Sequence, residues 1–433
     1  MSDELYRRLR ELGVVRGVRD MAAPSRRRCV AIEALVPGRF HSTSRGQCFV
    51  VEQRYALDTC HGDLSLAALL DLPQKRVAEV FAEVGEDPLL SDVDFRRACF
   101  LDTETTGLSG GSGTMAFVVG LGYFEAHDAE NPVFHLQQFF LRDPGDEPAM
   151  IEALADLLPR FDLLVSFNGR AFDVPILENR FILARARPPT VGIPHLDLLL
   201  LARRLWRYSL ESCRLGALEQ EVLGVLREQD DVPSGVIPYL YRDYLLTGDA
   251  RDMKRVIYHN GIDVLSLVVL AARLSRAFTD PWNGGALSAG ELYGLGRYYA
   301  SRGRMAESER AYRAALHQPL VTSLHIRVMA ELGSMLKRAD RREEAFGWWQ
   351  QLAIVASPGT LEHVLACVEL AKYFEWHLED ARLAAEWTKL ALRAVGTQPS
   401  SAESRISLEE LDHRLERLER KLAHLGSEDT AEH

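Results

Sequence analysis

The chain has no run of eighteen apolar residues, which argues against an ordinary membrane-spanning helix, and no membrane partner is expected. Its first residues are charged and lack an apolar signal core, so secretion is not expected. Cysteine is sparse. Cys29, Cys48, Cys60, Cys99, Cys213 and Cys367 are scattered without the paired spacing of a disulfide framework, and a reducing, cytoplasmic setting is expected. No CxxC supports a zinc site from Cys48, Cys60 and His61. An excess of positive charge is also missing. With 51 basic against 62 acidic residues the net charge is −11, which argues against a protein whose main task is coating nucleic acid. Lysine is scarce, and arginine, nearly the whole basic complement, suits bidentate phosphate contacts. The composition, 47% hydrophobic and 26% charged, is that of a globular protein, and 433 residues exceed one compact core. Two or three domains are expected.

Three short segments carry chemistry. In Phe100-Leu101-Asp102-Thr103-Glu104-Thr105-Thr106-Gly107-Leu108, apolar residues lead into Asp-x-Glu and a turn follows. Residues i and i+2 of a strand share a face, so Asp102 and Glu104 project side by side. Adjacent carboxylates repel unless a divalent cation neutralises them, which makes the pair half of a metal site. Next, Phe161 to Phe167 reads as a buried strand, and Asn168-Gly169-Arg170-Ala171-Phe172-Asp173 opens a helix with Asp173 near its N-terminus. Finally, Arg251 to Phe278 has helical periodicity and contains Tyr258-His259-Asn260-Gly261-Ile262-Asp263. His259 and Asp263 are i and i+4 on one helix face; His259 lies about 40° from Asp263 around the axis, Tyr258 about 140°. Four carboxylates on three separated elements, with an imidazole beside the last, form a two-metal phosphoryl-transfer constellation.

These motifs, in this order over residues 96 to 278, resemble the DEDD exonuclease superfamily with its ribonuclease-H-like fold. The third motif departs from the two best-known subclasses, which place a histidine five or a tyrosine four residues before the last aspartate. It is similar to a bacterial branch in which a His-Asn pair precedes that aspartate and C-terminal helical repeats often follow. The resemblance implies a two-metal-dependent nuclease hydrolysing phosphodiester bonds from a 3′ end, with Mg²⁺ or Mn²⁺ as its two ions. Asp102, Glu104 and Asp263 would hold one ion, Asp102 would bridge to the second, and Asp173 would complete the second site. His259 would orient or deprotonate the attacking water, the kind of work histidine does near neutral pH. Thr105 and Leu108 would contact the terminal nucleotide of a single-stranded end, and Asn168 and Phe172 would support the second motif. DNA and RNA both stay open, as do exo- and endonuclease action. The alternative is a catalytically weak nucleic-acid-binding module whose repeats scaffold protein partners.

Around the motifs the expected organisation has three parts. Residues 1–95 form an arginine-rich arm to about residue 28 and a small accessory region. That region holds a strand-like run at Cys48–Glu52, a turn at Cys60-His61-Gly62-Asp63 and a helix near Pro73–Val84. Residues 96–280 are the α/β ribonuclease-H-like domain, a mixed sheet flanked by helices. Its strands are expected at Ala98–Asp102, Ala116–Tyr123, Val133–Phe140 and Leu163–Phe167, with helices at Pro148–Leu158 and Val174–Ala186. Gly110 to Gly113 reads as a hairpin near the metals. His195-Leu196-Asp197 reads as the start of a helix with Asp197 facing the core, and Ser209 to Val225 as a helical segment.

Residues 290–425 are expected to be all-α, tetratricopeptide-like repeats. Leu292, Leu295, Gly296, Tyr299, Tyr312 and Ala315 fit that template. Met329, Leu332, Gly333, Leu336, Ala345 and Trp349 fit it about 37 residues on, and Cys367, Leu370, Ala371, Phe374 and Trp387 after about 38 more. Small residues let paired helices approach and aromatics fill the gap; Ser407 to Leu425 reads as a solvated cap. A protein partner of the repeats is expected.

Overall fold

A computed structural model describes residues 29–107, 113–126, 132–227, 231–282, 287–395 and 408–429. The arginine-rich arm, Leu108 and most of the Gly110–Gly113 loop lie outside the described residues. Those described fall into two compact units, one within 1–198 and 219–272, the other within 199–218 and 273–433. Among them no helix is long and apolar enough to cross a membrane. All six cysteines are free.

The first unit is built on nine strands: β1 (Gly38–Thr43), β2 (Gly46–Ala56), β3 (Cys60–His61), β4 (Leu64–Ser65), β5 (Ala98–Thr105), β6 (Ala116–Ala126), β7 (Pro132–Phe140), β8 (Leu163–Ser166) and β9 (His195–Asp197). Seven of them form one mixed sheet in the order β1-β2-β7-β6-β5-β8-β9, and β3 and β4 form a separate hairpin. The β5-β6-β7 meander is antiparallel, whereas β8 and β9 join it in parallel. Its helices are α1 (Gln74–Gly85), α2 (Glu147–Leu157), α3 (Asp173–Leu183), α6 (Ile237–Thr247) and the part of α7 (Arg251–Thr279) up to residue 272; α4 (Leu198–Trp206) and α5 (Leu215–Leu218) lie mainly in the second unit.

Strand alternation divides β5 between two faces. Cys99 and Leu101 join the large core made with Met150, Leu154, Leu177, Phe181 and Tyr241. Phe100, on the other face, stacks edge-on against Phe124 and Phe134. Asp102 and Glu104 continue that second face beyond the apolar part of the strand. Helix α7 crosses it closely: a Cβ on Gly122 would meet Val264 at 2.5 Å.

Three expectations need correction. The sheet starts before residue 96, because β2 pairs along its length with β7 and brings β1 with it. His195–Asp197 does not open a helix; these residues pair with Leu164, Val165 and Ser166 as a parallel strand, and the helix begins at Leu198. A Leu-rich run serves a buried parallel strand as readily as a helix, and pairing with β8 decides it. The Ser209–Val225 segment is helical only from Leu215, and a π-type turn takes over at Glu219–Leu223.

The second unit is all-helical. Its pairs are α8 (Ala289–Ser301) with α9 (Met305–Leu316), α10 (Thr322–Arg338) with α11 (Arg342–Val355), and α12 (Leu361–Trp376) with α13 (Ala381–Val395); α14 (Leu408–Asp429) follows. A Cβ on Gly296 would meet the Tyr312 ring at 2.4 Å, and one on Gly333 would meet Trp349 at 2.9 Å. Glycine at these positions is what lets each pair close on its aromatic residue. In the third pair Trp387 packs, partly buried, against Val364, Cys367 and Ala391. The residues 199–218 belong to this unit: the Trp206 indole donates to Glu291 at 3.0 Å, and Gly294 lies against the Leu205 carbonyl.

Candidate metal centre

The parallel strands β5 and β8 end at the same edge of the sheet, the usual position of ligand sites in α/β folds. Parallel pairing stops at Phe100–Val165, so Asp102 to Thr105 extend past it. A register shift between Glu104 and Thr105 ends the regular pairing with β6. After β8 the chain turns sharply. Asn168 adopts a left-handed conformation (φ 65°), which asparagine tolerates better than most residues. The turn is held from below by Asp197 at the end of β9, whose carboxylate accepts from the Asn168 N–H at 2.8 Å and the Arg170 N–H at 3.3 Å. Asp197 is buried and committed to this turn. Phe172 packs against the core, and Asp173 begins α3, where the helix dipole favours its charge. Thr103 donates to Asp173 Oδ1.

Helix α7 brings the third group. Glu104, His259 and Asp263 each offer a ligand atom within 4.8 Å of the others. His259 Nε2 lies 3.6 Å from Asp263 Oδ2 and 3.8 Å from Glu104 Oε1. Asn260, one residue on and fully buried, donates through Nδ2 to Asp102 Oδ2 at 2.8 Å and to the Asp102 carbonyl at 3.2 Å. Its Oδ1 accepts from Gln138 at 2.8 Å, which fixes the amide's orientation. Gly120 makes this possible. It pairs with Asp102 across β5 and β6, and a Cβ there would meet Asn260 Oδ1 at 2.3 Å. Thr105 is buried and donates to the Gly107 carbonyl at 2.8 Å.

The electrostatics are those of crowded acids, with Glu104 and Asp173 buried and Asp102 and Asp263 partly so. Burial pushes the Asp102 carboxyl well above its usual range, and the charges of Asp263, Asp173 and Glu104 push it further. Glu104 is raised by burial and then by Asp263 and Asp173. Asp173 is pushed up to about 6 by burial, against the lowering effect of its Thr103 hydrogen bond. Burial also raises Asp263, although His259 and Arg227 oppose it.

Arg227 was not singled out from the sequence, yet it is central. Its guanidinium forms a two-point ion pair with buried Glu219 at 2.6 and 2.7 Å, and Nη2 also donates to Asp263. Burial works against its charge, but Glu219 and Asp263 outweigh this and hold its pKa above the usual range. Glu219 accepts in turn from Ser266 at 2.6 Å, and Ser266 contacts His61 at 2.8 Å. The Cys60–Asp63 turn is thus structural, with His61 buried behind the site and its pKa lowered by burial. Asp231, also absent from the sequence expectations, lies 2.8 Å from His259 Nδ1. Burial acts to raise Asp231, but the His259 hydrogen bond and Arg227 leave it below its usual range. No motif marks Arg227 or Asp231; the only hint was a charged stretch just before Val232-Pro233.

The donor set suits a hard divalent cation: carboxylate oxygens with one imidazole, too crowded to carry full negative charge in a buried site unaided. Residues 99–275 match the RNase_H superfamily. The mixed sheet flanked by helices is accordingly ribonuclease-H-like, with an all-helical region after it. Over 379 residues the chain is also 29% identical to YprB, an uncharacterized protein of Bacillus subtilis (strain 168), covering 86% of each chain. An alignment of that length takes in more than the matched domain. An RNase_H-superfamily domain points to a nuclease or nucleic-acid-related function, and nucleases of this kind ordinarily use divalent metals.

Proposed function

We propose that the protein is a two-metal-dependent nuclease of the DEDD type that hydrolyses nucleic-acid phosphodiester bonds from a 3′ end. The observation that carries this reading is the convergence of Glu104, His259 and Asp263 within 4.8 Å, beside Asp102 and Asp173, whose carboxyls share the same electrostatic field. Asp102, Glu104 and Asp263 would hold one Mg²⁺ or Mn²⁺, and Asp102 with Asp173 the other. When bound, the ions would supply Lewis acidity and charge neutralisation at the scissile phosphate. The protein's own residues do the rest. Asn260 holds Asp102 in place through a directed amide, and Arg227 offsets negative charge at Asp263. His259 Nε2 faces the carboxylates and takes a proton from, or orients, the attacking water. Thr105 and Leu108 would meet the terminal nucleotide, while Asn168 and Phe172 shape the turn that delivers Asp173.

The complete set of acids favours turnover over a binding module that has lost it. The helical pairs would serve as a tetratricopeptide-like scaffold for a protein partner. The supporting features are the small-residue and aromatic pairing repeated in them and a groove of about 780 Å³ lined by Tyr293, Arg297, Arg327, Trp349 and Leu365.

The test is polarity. Single-stranded DNA and RNA of one sequence, labelled at either end, are incubated with the full chain and Mg²⁺ or Mn²⁺. The reading expects a descending ladder from 5′-labelled strands and immediate release of mononucleotide from 3′-labelled ones. Internal cleavage alone would replace the exonuclease assignment with an endonuclease.

A further inference from the structure

We infer that Asp231 is the positioning residue for His259, selecting the tautomer that keeps the proton on Nδ1 and turns the Nε2 lone pair toward the acidic cluster. The inference rests on the reading of the site just given.

Two groups compete for Nδ1. Asp231 Oδ1, which can only accept when ionised, is 2.8 Å away, and Arg227 Nη1, which can only donate, is 2.9 Å away. Nδ1 can satisfy one of them. If it carries the proton, it donates to Asp231. Arg227 then gives up only its bond to the ring: Nε and Nη2 are held by Glu219, Nη2 also by Asp263, and Nη1 reaches Asp231 Oδ2 at 3.2 Å. If Nδ1 is bare, it accepts from Arg227, but its lone pair then opposes an Asp231 oxygen at hydrogen-bond distance. The first arrangement instead sets one Nη1–H against Nδ1–H at 2.9 Å, but it makes the shorter contact, to Asp231 at 2.8 Å, and leaves Nη1 an acceptor in Asp231 Oδ2.

The other nitrogen follows. With the proton on Nδ1, a neutral ring leaves Nε2 with a lone pair. Ser234 Oγ lies 3.3 Å away and can donate to it. Glu104 and Asp263 stand at 3.8 and 3.6 Å, beyond a direct hydrogen bond but at a distance that accommodates a bridging water. In the opposite tautomer Nε2–H would have no lone pair with which to accept a proton. Asp231 therefore acts through His259, and Arg227 braces it from the second oxygen.

The test uses full-length protein labelled with ¹⁵N-histidine, with His259 assigned by its loss in His259→Gln. Long-range ¹H–¹⁵N correlation at a pH where the ring is neutral distinguishes a protonated from a bare nitrogen. The wild type is expected to show a protonated Nδ1 and a bare Nε2. In Asp231→Ala the arrangement should invert, because Arg227 becomes the sole partner of Nδ1. The same variant should lose about 10- to 100-fold in kcat with little change in KM, the usual scale for removing an orienting partner. Asp231→Leu, closer in volume, carries the same test if the alanine variant does not fold. A wild-type signal with protonated Nε2, or an unchanged tautomer in the variant, would overturn the inference. The tautomer is read without substrate. A wild type with the expected tautomer but no hydrolysis would therefore refute the nuclease reading while leaving Asp231's role intact.

Discussion

At the scale of single residues, the crowded acids of the site oppose folding when no cation offsets their charge. Asp173 shows the sign. Its carboxyl is pushed up to about 6 in the folded protein, against roughly 3.9 for an unstructured aspartate. Ionisation is therefore harder when folded, and the penalty is absent below about pH 4, grows through about pH 6 and is constant above. Without metal, Asp173→Asn should stabilise the protein at pH 7.5 by on the order of 2 kcal/mol and have little effect at pH 4. Thermal melts in chelator at the two pH values check this; equal effects at both would contradict it. The register of the base is a second residue-scale question. His259→Ala should lower turnover by about 10²- to 10⁴-fold, whereas Tyr258→Phe should leave it nearly unchanged. The reverse ranking, read from kcat, would transfer the role to Tyr258. A third residue acts by being small: Gly120→Ala would drive a methyl into Asn260, breaking its bonds to Asp102 and Gln138. It should lower both stability and metal affinity, measured by melting temperature and Mn²⁺ titration.

At the scale of elements, what was legible in the sequence were segments whose signal is local. The meander β5-β6-β7, helices α2 and α3 and the all-helical C-terminal region follow from period and punctuation. Asp-x-Glu on a strand and His259 four before Asp263 are likewise local facts, and their convergence needed only the order of elements. What was not legible depends on distant partners. β2 joins the sheet through β7, some eighty residues later, so residues 29–95 read as a separate accessory region. β9 is three residues long, and nothing but β8 makes it a strand. Arg227 and Asp231 sit in a segment without periodicity and matter only because α7 passes beside them. In the helical region, the aromatic residues between paired helices differ in burial. Trp349 is 3% exposed against Gly333, so Trp349→Ala should cost roughly 3–5 kcal/mol. Trp387 is only partly buried and should cost less. Chemical denaturation followed by helicity checks both, and hydrolysis by the folded variants should be unchanged.

At the scale of the molecule, the helical unit is not confined to the residues that follow α7. Residues 199–218 precede α7 in sequence but pack with the helices after it. Trp206 is buried there, bonded to Glu291, and Glu291 also holds Arg273 and closes the Ser288 capping box. A chain ending near Asp280 would expose Trp206 and Leu205, and it is expected to aggregate; soluble monomer of that length in size-exclusion chromatography would contradict this. The central claim is that the acids at the end of β5, at the start of α3 and midway along α7 form a metal-dependent hydrolytic centre. It is tested most directly by hydrolysis of a 5′-labelled single strand across a Mg²⁺ and Mn²⁺ titration, with wild type compared against Asp102→Asn and Asp263→Asn of verified fold. The account predicts no hydrolysis in chelator, saturable activation by metal in the wild type, and loss of activity in both variants. Hydrolysis that ignores metal, or that survives in both variants at the wild-type rate, would contradict it.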